Sequence, residues 1–361
     1  MALVQLASLK VFLKKPFVTS DVLSDFLFGR FKLMNCAELE NSSLKNKTAL
    51  VTGCNTGIGY ATCLKLAKAQ ARILICCRTM QKSIATADSL RRELGIHDKG
   101  RFCCFEADME NLDAVTTLAQ DIIQLNEQIH FVILNAGVMQ AANKKITKNG
   151  LELHFAVNHM SHFLLTYLLM PQLIRSAPCR IIVVTSNAYE YGKPEQLADH
   201  RFQSFPYIAV SAYAQSKLAN ILFAYELKKR FKDKGIDVFA VHPGAVLSDI
   251  YREEWLLHAP LVGFFTQKVL SRIMRTPQEG GKTIAALLGD ALFSSSLREG
   301  YSDACFSNLY WKDCKPQPVN SNLVNDISAE FLWRLSISIL KDLGILNDER
   351  LEMVELCEKT N

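Results

Sequence analysis

The stretch Thr48-Ala-Leu-Val-Thr52, followed by Gly53-Cys-Asn-Thr-Gly57-Ile-Gly59, decides the architecture of the chain. A short apolar run predicts a buried strand, and the glycines after it predict a tight turn into a helix that extends to about Ala69. The start of such a helix offers unpaired N–H groups and the positive end of the helix dipole, which suits a pyrophosphate. A glycine turn alone is equally compatible with a purely structural role. Its position after the first strand of an alternating pattern favours nucleotide binding.

The alternation of strand and helix continues along the chain. Further strands are predicted at Arg72–Cys77, Phe102–Glu106, Phe131–Asn135, Arg180–Ser186 and Asp237–His242. The intervening helices are predicted to end at Leu94, to span about Leu112–Leu125, to run from about Gly150 to Met170 with a stop at Pro171, and to include Tyr213. Apolar strands that alternate with helices predict an α/β fold, a doubly wound parallel sheet of the Rossmann type with ligands at the carboxyl ends of its strands.

The domain organisation follows from the absence of a composition break within residues 46–318. We expect this range to form one large dinucleotide-binding domain. An N-terminal extension, 1–45, precedes it, and a C-terminal tail, 319–361, follows it. The pattern of apolar residues in the tail predicts a closing amphipathic helix; these residues are Phe331, Leu332, Leu335, Ile337 and Leu340.

Composition narrows the functional class. Hydrophobic residues make up 49% of the 361-residue chain, which is typical of a globular protein with a large core. The net charge is +5, and no basic block is interleaved with aromatic residues, so nucleic-acid binding is not expected. The eleven cysteines include no C-x-x-C motif, which favours reduced core thiols over a disulfide framework or a zinc site. We therefore expect a chain that faces the cytoplasm.

The first residues leave two interpretations open. Residues 1–17 are apolar, carry Lys10, Lys14 and Lys15, and are too short and too interrupted to span a bilayer. They predict either a segment that binds a membrane surface or directs the chain to an organelle, or a plain helix packed on the domain. Peripheral attachment to an intracellular membrane is thus one expectation, and a homo-oligomer is left open beside a monomer.

The pair Tyr213 and Lys217 is the strongest catalytic candidate. Residues four apart lie on one face of a helix, so the ammonium should lie close to the phenol. A nearby ammonium favours the phenolate and lowers the pKa of the tyrosine toward neutral pH, which suits proton exchange with a substrate oxygen. A surface tyrosine over a surface lysine is the ordinary alternative.

The ends of the next strands predict contacts with a nucleotide. An acid after the second strand would bind the ribose 2′-hydroxyl of NAD, but Arg78 stands there, and a guanidinium can bind a 2′-phosphate, which favours NADP(H). Asp108 follows the third strand, where a carboxylate can accept from the adenine amine. Asn135-Ala136-Gly137 closes the fourth strand with small residues that leave room for a cofactor. An exposed arginine and ordinary loop residues are the alternatives.

Together these motifs resemble the short-chain dehydrogenase/reductase family over roughly residues 46–310. The motifs are Thr52-Gly53-x-x-x-Gly57-Ile58-Gly59, Asn135-Ala136-Gly137, Ser186, Tyr213-x-x-x-Lys217 and His242-Pro243-Gly244. Val157-Asn158-His159-Met160-Ser161-His162 and Cys77-Arg78 resemble the retinol dehydrogenase and WW-domain oxidoreductase branch. A WW domain is excluded because Trp255, Trp311 and Trp333 all lie in the second half of the chain.

The resemblance implies roles for individual residues. Tyr213 would be the general acid/base, Lys217 would lower its pKa and hold the nicotinamide ribose, and Ser186 would hydrogen-bond the substrate oxygen. Asn158 would hold a water linked to Lys217, although an asparagine in an apolar helix can simply bond a neighbouring carbonyl. The implied cofactor contacts are Gly53, Asn55, Thr56, Gly57, Ile58, Gly59, Arg78, Asp108, Asn135, Ala136, Gly137, Tyr213, Lys217, Pro243 and Gly244.

Departures from the family pattern are small, at Cys54, Leu134 and Ser161, and none removes a catalytic group. No metal site is expected, since the three histidines of the helix around Asn158 do not share a face. Two other classes of function stay open beside a reductase: an interaction scaffold of the same fold, and a regulatory NADP(H) sensor with negligible turnover. Intact Ser186, Tyr213 and Lys217 argue against a scaffold.

The substrate is expected to be an apolar alcohol or carbonyl compound of the retinoid or steroid type. The chain between Ser186 and Tyr213 is longer than in short members of the resembled family. It carries five aromatic residues: Tyr189, Tyr191, Phe202, Phe205 and Tyr207. A second apolar segment spans residues 255–265. Both segments could border an apolar pocket; the alternative is that their side chains pack only on each other.

Overall fold

A computed structural model describes residues 43–139, 143–246, 274–289 and 308–359 of the chain. An eight-stranded sheet lies at its centre, in the order β3-β2-β1-β4-β5-β6-β7-β8. Its strands are β1 (Thr48–Thr52), β2 (Arg72–Cys77), β3 (Phe102–Glu106), β4 (Phe131–Leu134), β5 (Cys179–Val184), β6 (Ile236–His242), β7 (Tyr310–Lys312) and β8 (Lys315–Gln317). Neighbouring strands run parallel except for β7 and β8. The prediction of a doubly wound parallel sheet is therefore confirmed.

Helices cover both faces of the sheet. They are α1 (Gly57–Lys68), α2 (Met80–Leu94), α3 (Leu112–Gln124), α4 (Ser161–Arg175), α5 (Ala209–Phe231), α6 (Pro277–Ala286), α7 (Asp326–Asp342) and α8 (Asp348–Lys359). One hydrophobic core lies between the sheet and α1, α2 and α6, and a second lies between the sheet and α3, α4, α5, α7 and α8. Successive residues of β1 alternate between them: Ala49 and Val51 belong to the first core and Leu50 to the second.

One predicted helix end needs correction, and two strands were not predicted. Pro171 does not end the long helix. A π-helical segment, Phe155–Met160, leads into α4, and α4 continues through Pro171 to Arg175. A proline inside a helix costs about 3 kcal/mol. Burial of the next residues offsets that cost: Leu173 is fully buried, and the Gln172 side chain donates to the carbonyl of Glu127 at 2.7 Å. Strands β7 and β8 have no counterpart among the predicted elements, since three residues each leave no periodic pattern.

The closing helix of the tail is confirmed as α7. Its apolar face belongs to the same core as α4 and α5. The Trp333 ring lies 5.0 Å from the Phe163 ring, centroid to centroid, and Nε2 of His159 lies 2.9 Å from Oγ of Ser336. The tail thus covers one side of the core.

The cysteines that the structure describes are of two kinds. The described free thiols are Cys54, Cys63, Cys76, Cys77, Cys103, Cys104, Cys179 and Cys357. Cys314 is disulfide-bonded, so the prediction of reduced thiols is wrong at that position. No helix within the described ranges is long and apolar enough to cross a bilayer. The predicted N-terminal segment 1–17 and the apolar segment 255–265 lie outside those ranges.

Candidate active site

A cleft with a cavity volume of about 530 Å³ lies at the carboxyl ends of the parallel strands. All the predicted catalytic and cofactor residues line it except Asn158, which is fully buried beside it. The lining members of that predicted set are Gly53, Asn55, Thr56, Gly57, Ile58, Gly59, Arg78, Asp108, Asn135, Ala136, Gly137, Ser186, Tyr213, Lys217, Pro243 and Gly244. The fold therefore gathers residues that are far apart in the chain into one cavity.

The glycine turn after β1 has no room for a side chain at Gly53 or Gly59. Gly53 has φ +66°, and a Cβ atom there would lie 2.7 Å from Cα of Ala136. A Cβ on Gly59 would lie 2.6 Å from Nδ2 of Asn135. Within the described part of the chain, Thr56 begins α1 with no side-chain hydrogen bond to its first turn. The turn therefore brings bare backbone and a helix N-terminus to the cleft, which fits a pyrophosphate.

The Thr52 hydroxyl joins this turn to the loop after β4. It accepts the N–H groups of Asn135 and Ala136, both at 3.0 Å. The Asn135 amide in turn donates to the carbonyls of Thr52 and Gly53 at 2.9 and 3.0 Å. These four hydrogen bonds fix the two loops that would contact a dinucleotide to each other.

His162 extends that network, a role that the sequence did not predict. Its Nε2 lies 3.0 Å from the Thr52 hydroxyl, and its Nδ1 lies 3.2 Å from the carbonyl of Asn158. The hydroxyl already accepts two N–H groups, and Nε2 is a nearer acceptor than the carbonyl of Ile133 at 3.4 Å. The hydroxyl therefore donates to Nε2, which leaves Nδ1 to donate to Asn158. Burial, assisted by the charge of Lys217, lowers the pKa of His162 to about 3, so the ring is neutral.

Tyr213 and Lys217 share a face of α5, as their spacing predicts. Nζ of Lys217 lies 5.6 Å from the centroid of the Tyr213 ring and donates to the carbonyl of Val184 at 3.2 Å. The lysine is 4% exposed, and burial lowers its pKa to about 8. Since Val184 is the last residue of β5, its carbonyl holds Lys217 at the end of that strand. With a pKa of about 8 the amine is still mostly protonated near pH 7, so its positive charge can act on the phenol beside it.

Ser186 lies at the same end of β5. Its hydroxyl accepts the N–H of Ala188 at 3.2 Å and caps a short 3₁₀ turn, Asn187–Tyr191. The preceding residue, Thr185, donates from its side chain to the carbonyl of Lys217 at 2.9 Å. The cap sets the orientation of the serine, and the threonine ties β5 to α5. Ser186 and Tyr213 therefore line one cavity from two elements that are joined directly.

Asn158 lies in the π-helical segment and bonds away from its own helix. Its Oδ1 accepts the N–H of Val138 at 2.8 Å, and its Nδ2 donates to the carbonyl of Val138 at 3.0 Å and to Oγ of Ser216 at 2.9 Å. Ser216 donates its own proton to the carbonyl of Tyr213 at 2.7 Å. The side chain thus connects the loop after β4 to the start of α5. A water bound near Lys217 stays a prediction.

Two cations lie where an adenosine ribose would meet the end of β2. Arg78 is the predicted one, and its Nε lies 3.7 Å from Oδ1 of Asp108. Lys82, in the first turn of α2, also lines the cleft and was not predicted. Both partners of the Arg78–Asp108 pair are about half exposed, so the pair contributes little and leaves the guanidinium available to a phosphate. A lysine four residues after Arg78 is the sequence signal that could have indicated it.

The wall of the cleft formed by Pro243 and Gly244 depends on a buried arginine, Arg275, that no sequence motif indicates. Gly244 has φ +87°, and a Cβ atom there would collide with the guanidinium of Arg275. That guanidinium is buried, donates to the carbonyl of Pro243 at 2.9 Å, and forms an ion pair with Asp313. Arg275 therefore holds the Pro243-Gly244 turn against the cleft.

The loop between Ser186 and Tyr213 was expected to border an apolar substrate pocket with its aromatic rings, and the structure does not place them there. Within the described ranges, none of its five aromatic rings lines the cleft. Tyr189 packs on Tyr310, and Phe202 packs on Tyr207, so these rings contact other aromatic residues instead of the cavity. The apolar side chains on the cleft wall include Val138, Met139, Leu153, Val157, Val184 and Val246.

Comparison with known proteins defines the class. Residues 47–198 match the family model for short chain dehydrogenase. The chain belongs to the short-chain dehydrogenase family, as its motifs and its site geometry indicate.

Within that family the chain is similar to the retinol dehydrogenases. It is 34% identical to Retinol dehydrogenase 12 of Mus musculus over 83% of this chain and 88% of the relative. It is also 34% identical to Retinol dehydrogenase 14 of Homo sapiens over 81% and 86%. Among solved structures, the Pseudomonas aeruginosa RhlG/NADP active-site complex superposes with a TM-score of 0.54 and 26% identity, covering 69% of this chain and 91% of that one.

Proposed function

We propose that the protein is an NADP(H)-dependent oxidoreductase that interconverts an alcohol and its aldehyde or ketone. The observation that carries the proposal is the position of Lys217 by the Tyr213 ring, with Ser186 on the same cavity and the glycine turn also lining it. The family to which the chain belongs supports the reaction class. A scaffold without catalysis would have no need of this arrangement.

In this proposal each side chain has one task. Tyr213 gives a proton to the substrate oxygen in reduction and takes it back in oxidation. Lys217 stabilises the phenolate electrostatically, and the Ser186 hydroxyl donates to the same substrate oxygen as charge develops on it. Asn158 holds the start of α5, and with it Tyr213, in register with the loop after β4. The nicotinamide, when bound, supplies or accepts the hydride.

The preference for NADP(H) rests on charge at the end of β2. Arg78 and Lys82 both line the cleft there. No acid directly follows the strand to accept from a ribose 2′-hydroxyl. A solved structure of similar fold is an NADP complex, which agrees with this proposal.

The substrate we propose is apolar, of the retinoid or steroid type. Two observations support this: Met139, Leu153 and Val157 lie on the wall of the cleft, and the chain is similar to proteins named retinol dehydrogenases. We further propose that residues 1–45 attach the protein to the surface of an intracellular membrane, which would place it near such substrates.

The test is NADPH oxidation by the purified protein against retinaldehydes, oxo-steroids, quinones and short aldehydes, with Tyr213→Phe as the inactive control. Turnover by the native protein that the variant loses supports the proposal. NADPH binding without turnover of any of these carbonyl compounds would favour the regulatory sensor instead.

A further inference from the structure

A fully buried carboxylate lies beside the candidate active site and has no part in the proposed reaction. Glu152 precedes the π-helical segment that contains Asn158, and its side chain has no exposed surface. Its Oε1 lies 2.6 Å from Nδ1 of His154 and accepts from the Tyr207 hydroxyl at 3.2 Å. Its Oε2 accepts the N–H of Phe155 at 3.0 Å.

Such burial needs compensation. Taking an ionised carboxylate out of water costs several kcal/mol, about as much as several good donors can return. Three donors surround Glu152, and the phenol among them keeps its proton because burial and the carboxylate itself raise the pKa of Tyr207. One backbone donor at a helix start would suffice for capping. The other two donors are side chains, those of His154 and Tyr207, and both are connected to the helix that carries Tyr213.

The first of these side chains, His154, contacts the proposed acid/base. Its ring is fully buried, and its centroid lies 6.2 Å from that of Tyr213 at an interplanar angle of 77°, an edge-to-face contact. The carboxylate of Glu152 fixes the orientation of the imidazole through Nδ1. The imidazole then limits the tilt of the phenol.

The second, Tyr207, ends the loop that runs from Ser186 to α5. The main chain of Glu152 holds the same loop, since its N–H donates to the carbonyl of His200 at 3.2 Å. Ile208, the next residue after Tyr207, is the N-cap of the helix that carries Tyr213. Glu152 therefore restrains, at two points, the loop between the two groups that must converge on a substrate oxygen.

We propose that Glu152 and His154 are positioning residues that hold Tyr213 and the loop between Ser186 and Tyr213 in their working geometry. This role rests on the oxidoreductase function proposed above. Neither residue exchanges a proton with substrate; both act through the position of Tyr213.

Kinetics of Glu152→Gln test this, because the amide keeps the size of the side chain and removes its charge. A misplacement of about 1 Å costs on the order of 10²-fold in rate, so kcat should fall about 10- to 100-fold while KM for the carbonyl compound and Kd for NADPH stay within about twofold. Glu195→Gln, at an exposed carboxylate on the same loop, is the matched control and should leave kcat unchanged. Equal losses in kcat and in NADPH binding would point to general damage and overturn the proposal.

A double variant tests whether the two residues act as a unit. Glu152→Gln combined with His154→Phe should be no slower than the slower single variant, since Glu152→Gln already releases the restraint that His154 transmits to Tyr213. Independent, multiplying losses would contradict the coupling.

Hydrogen–deuterium exchange gives a readout that needs no turnover. Glu152→Gln should raise exchange in peptides from residues 187–213 and leave β1 to β3 unchanged. If Glu152→Gln does not fold, Tyr207→Phe removes a single donor and should raise exchange in residues 200–208. Unchanged exchange in the folded variant would overturn the proposal. Failure of the native protein to reduce any carbonyl compound would overturn the proposed function instead, and the exchange comparison would still decide the restraint.

Discussion

Replacing His159 by glutamine should make the core less sensitive to acid. Nε2 of His159 donates to Oγ of Ser336, because that hydroxyl gives its own proton to the carbonyl of Leu332 at 2.8 Å. The other nitrogen, Nδ1, is buried without a hydrogen-bond partner among the described residues. Burial, with a smaller contribution from His162, lowers the pKa of His159 to about 3. The rings around the imidazole are Phe155, Phe163 and Phe223.

The magnitude follows from proton linkage. An unfolded histidine has a pKa of about 6.5, so between about pH 6.5 and about pH 3 only the unfolded chain takes up the proton. Stability is lost as the pH falls through this window, at about 1.4 kcal/mol per pH unit. From about pH 7 to about pH 4.5 the loss from this one ring is about 2.5 kcal/mol. Glutamine keeps an amide donor for Ser336 and takes up no proton in this window.

The assay is urea unfolding at a series of pH values, followed by tryptophan fluorescence, since Trp333 lies in the same aromatic cluster. Near pH 7 we expect His159→Gln to lower the free energy of unfolding by about 1 kcal/mol through its altered hydrogen bond and packing. Toward pH 4.5 the difference between variant and native protein should shrink and reverse. His97→Gln, at an exposed histidine, is the matched control. Parallel stability curves for the native protein and His159→Gln would refute the reasoning.

Other perturbations test the site and its surroundings. Arg78→Leu should lower kcat/KM with NADPH and leave NADH use largely unchanged; equal use of both cofactors by the native protein would show the assignment of Arg78 to be wrong. Tyr213→Phe should keep the fold and cofactor binding and lose about 10²–10⁴-fold in activity, whereas retention of most activity would mean that another group moves the proton. Deletion of residues 1–35 should reduce sedimentation with lipid vesicles, and unchanged partitioning would reject membrane attachment through that segment. Across straight-chain aldehydes kcat/KM should climb severalfold with each added pair of carbons, because each buried methylene contributes about 0.8 kcal/mol; a flat series would reject an apolar pocket.

Local sequence was sufficient to predict most of the sheet. β1, β2 and β3 have their predicted bounds because each is a continuous apolar run that ends at a turn. The stop predicted at Pro171 is wrong because burial of the following turn outweighs local propensity. Strands β7 and β8 depend on pairing with β6 and with each other, which no short stretch of sequence encodes.

The residues of the candidate site also divide into those that local sequence indicates and those that depend on distant partners. Tyr213 and Lys217 could be paired from their helical spacing alone, and the glycine turn could be placed from its position after β1. Arg275 and His162 could not be assigned, because each works through a partner far away in the chain. Glu152 carries no signal in the sequence, since a lone acid in an apolar stretch gives no sign that it will be buried with three donors.

The position of α7 late in the chain also affects how the protein folds during its synthesis. The bond between His159 and Ser336 spans 177 positions, and α7 supplies Ser336. During synthesis, α4 and α5 can form long before α7 leaves the ribosome, so Phe163 and Phe223 then lack the cover that Trp333 provides. An uncovered apolar face on a growing chain is a binding site for chaperones and a hazard for aggregation. Packing of this core must therefore wait until residues 326–342 emerge, and a premature stop before residue 326 would leave the residues of the candidate site in place on a core that lacks its cover.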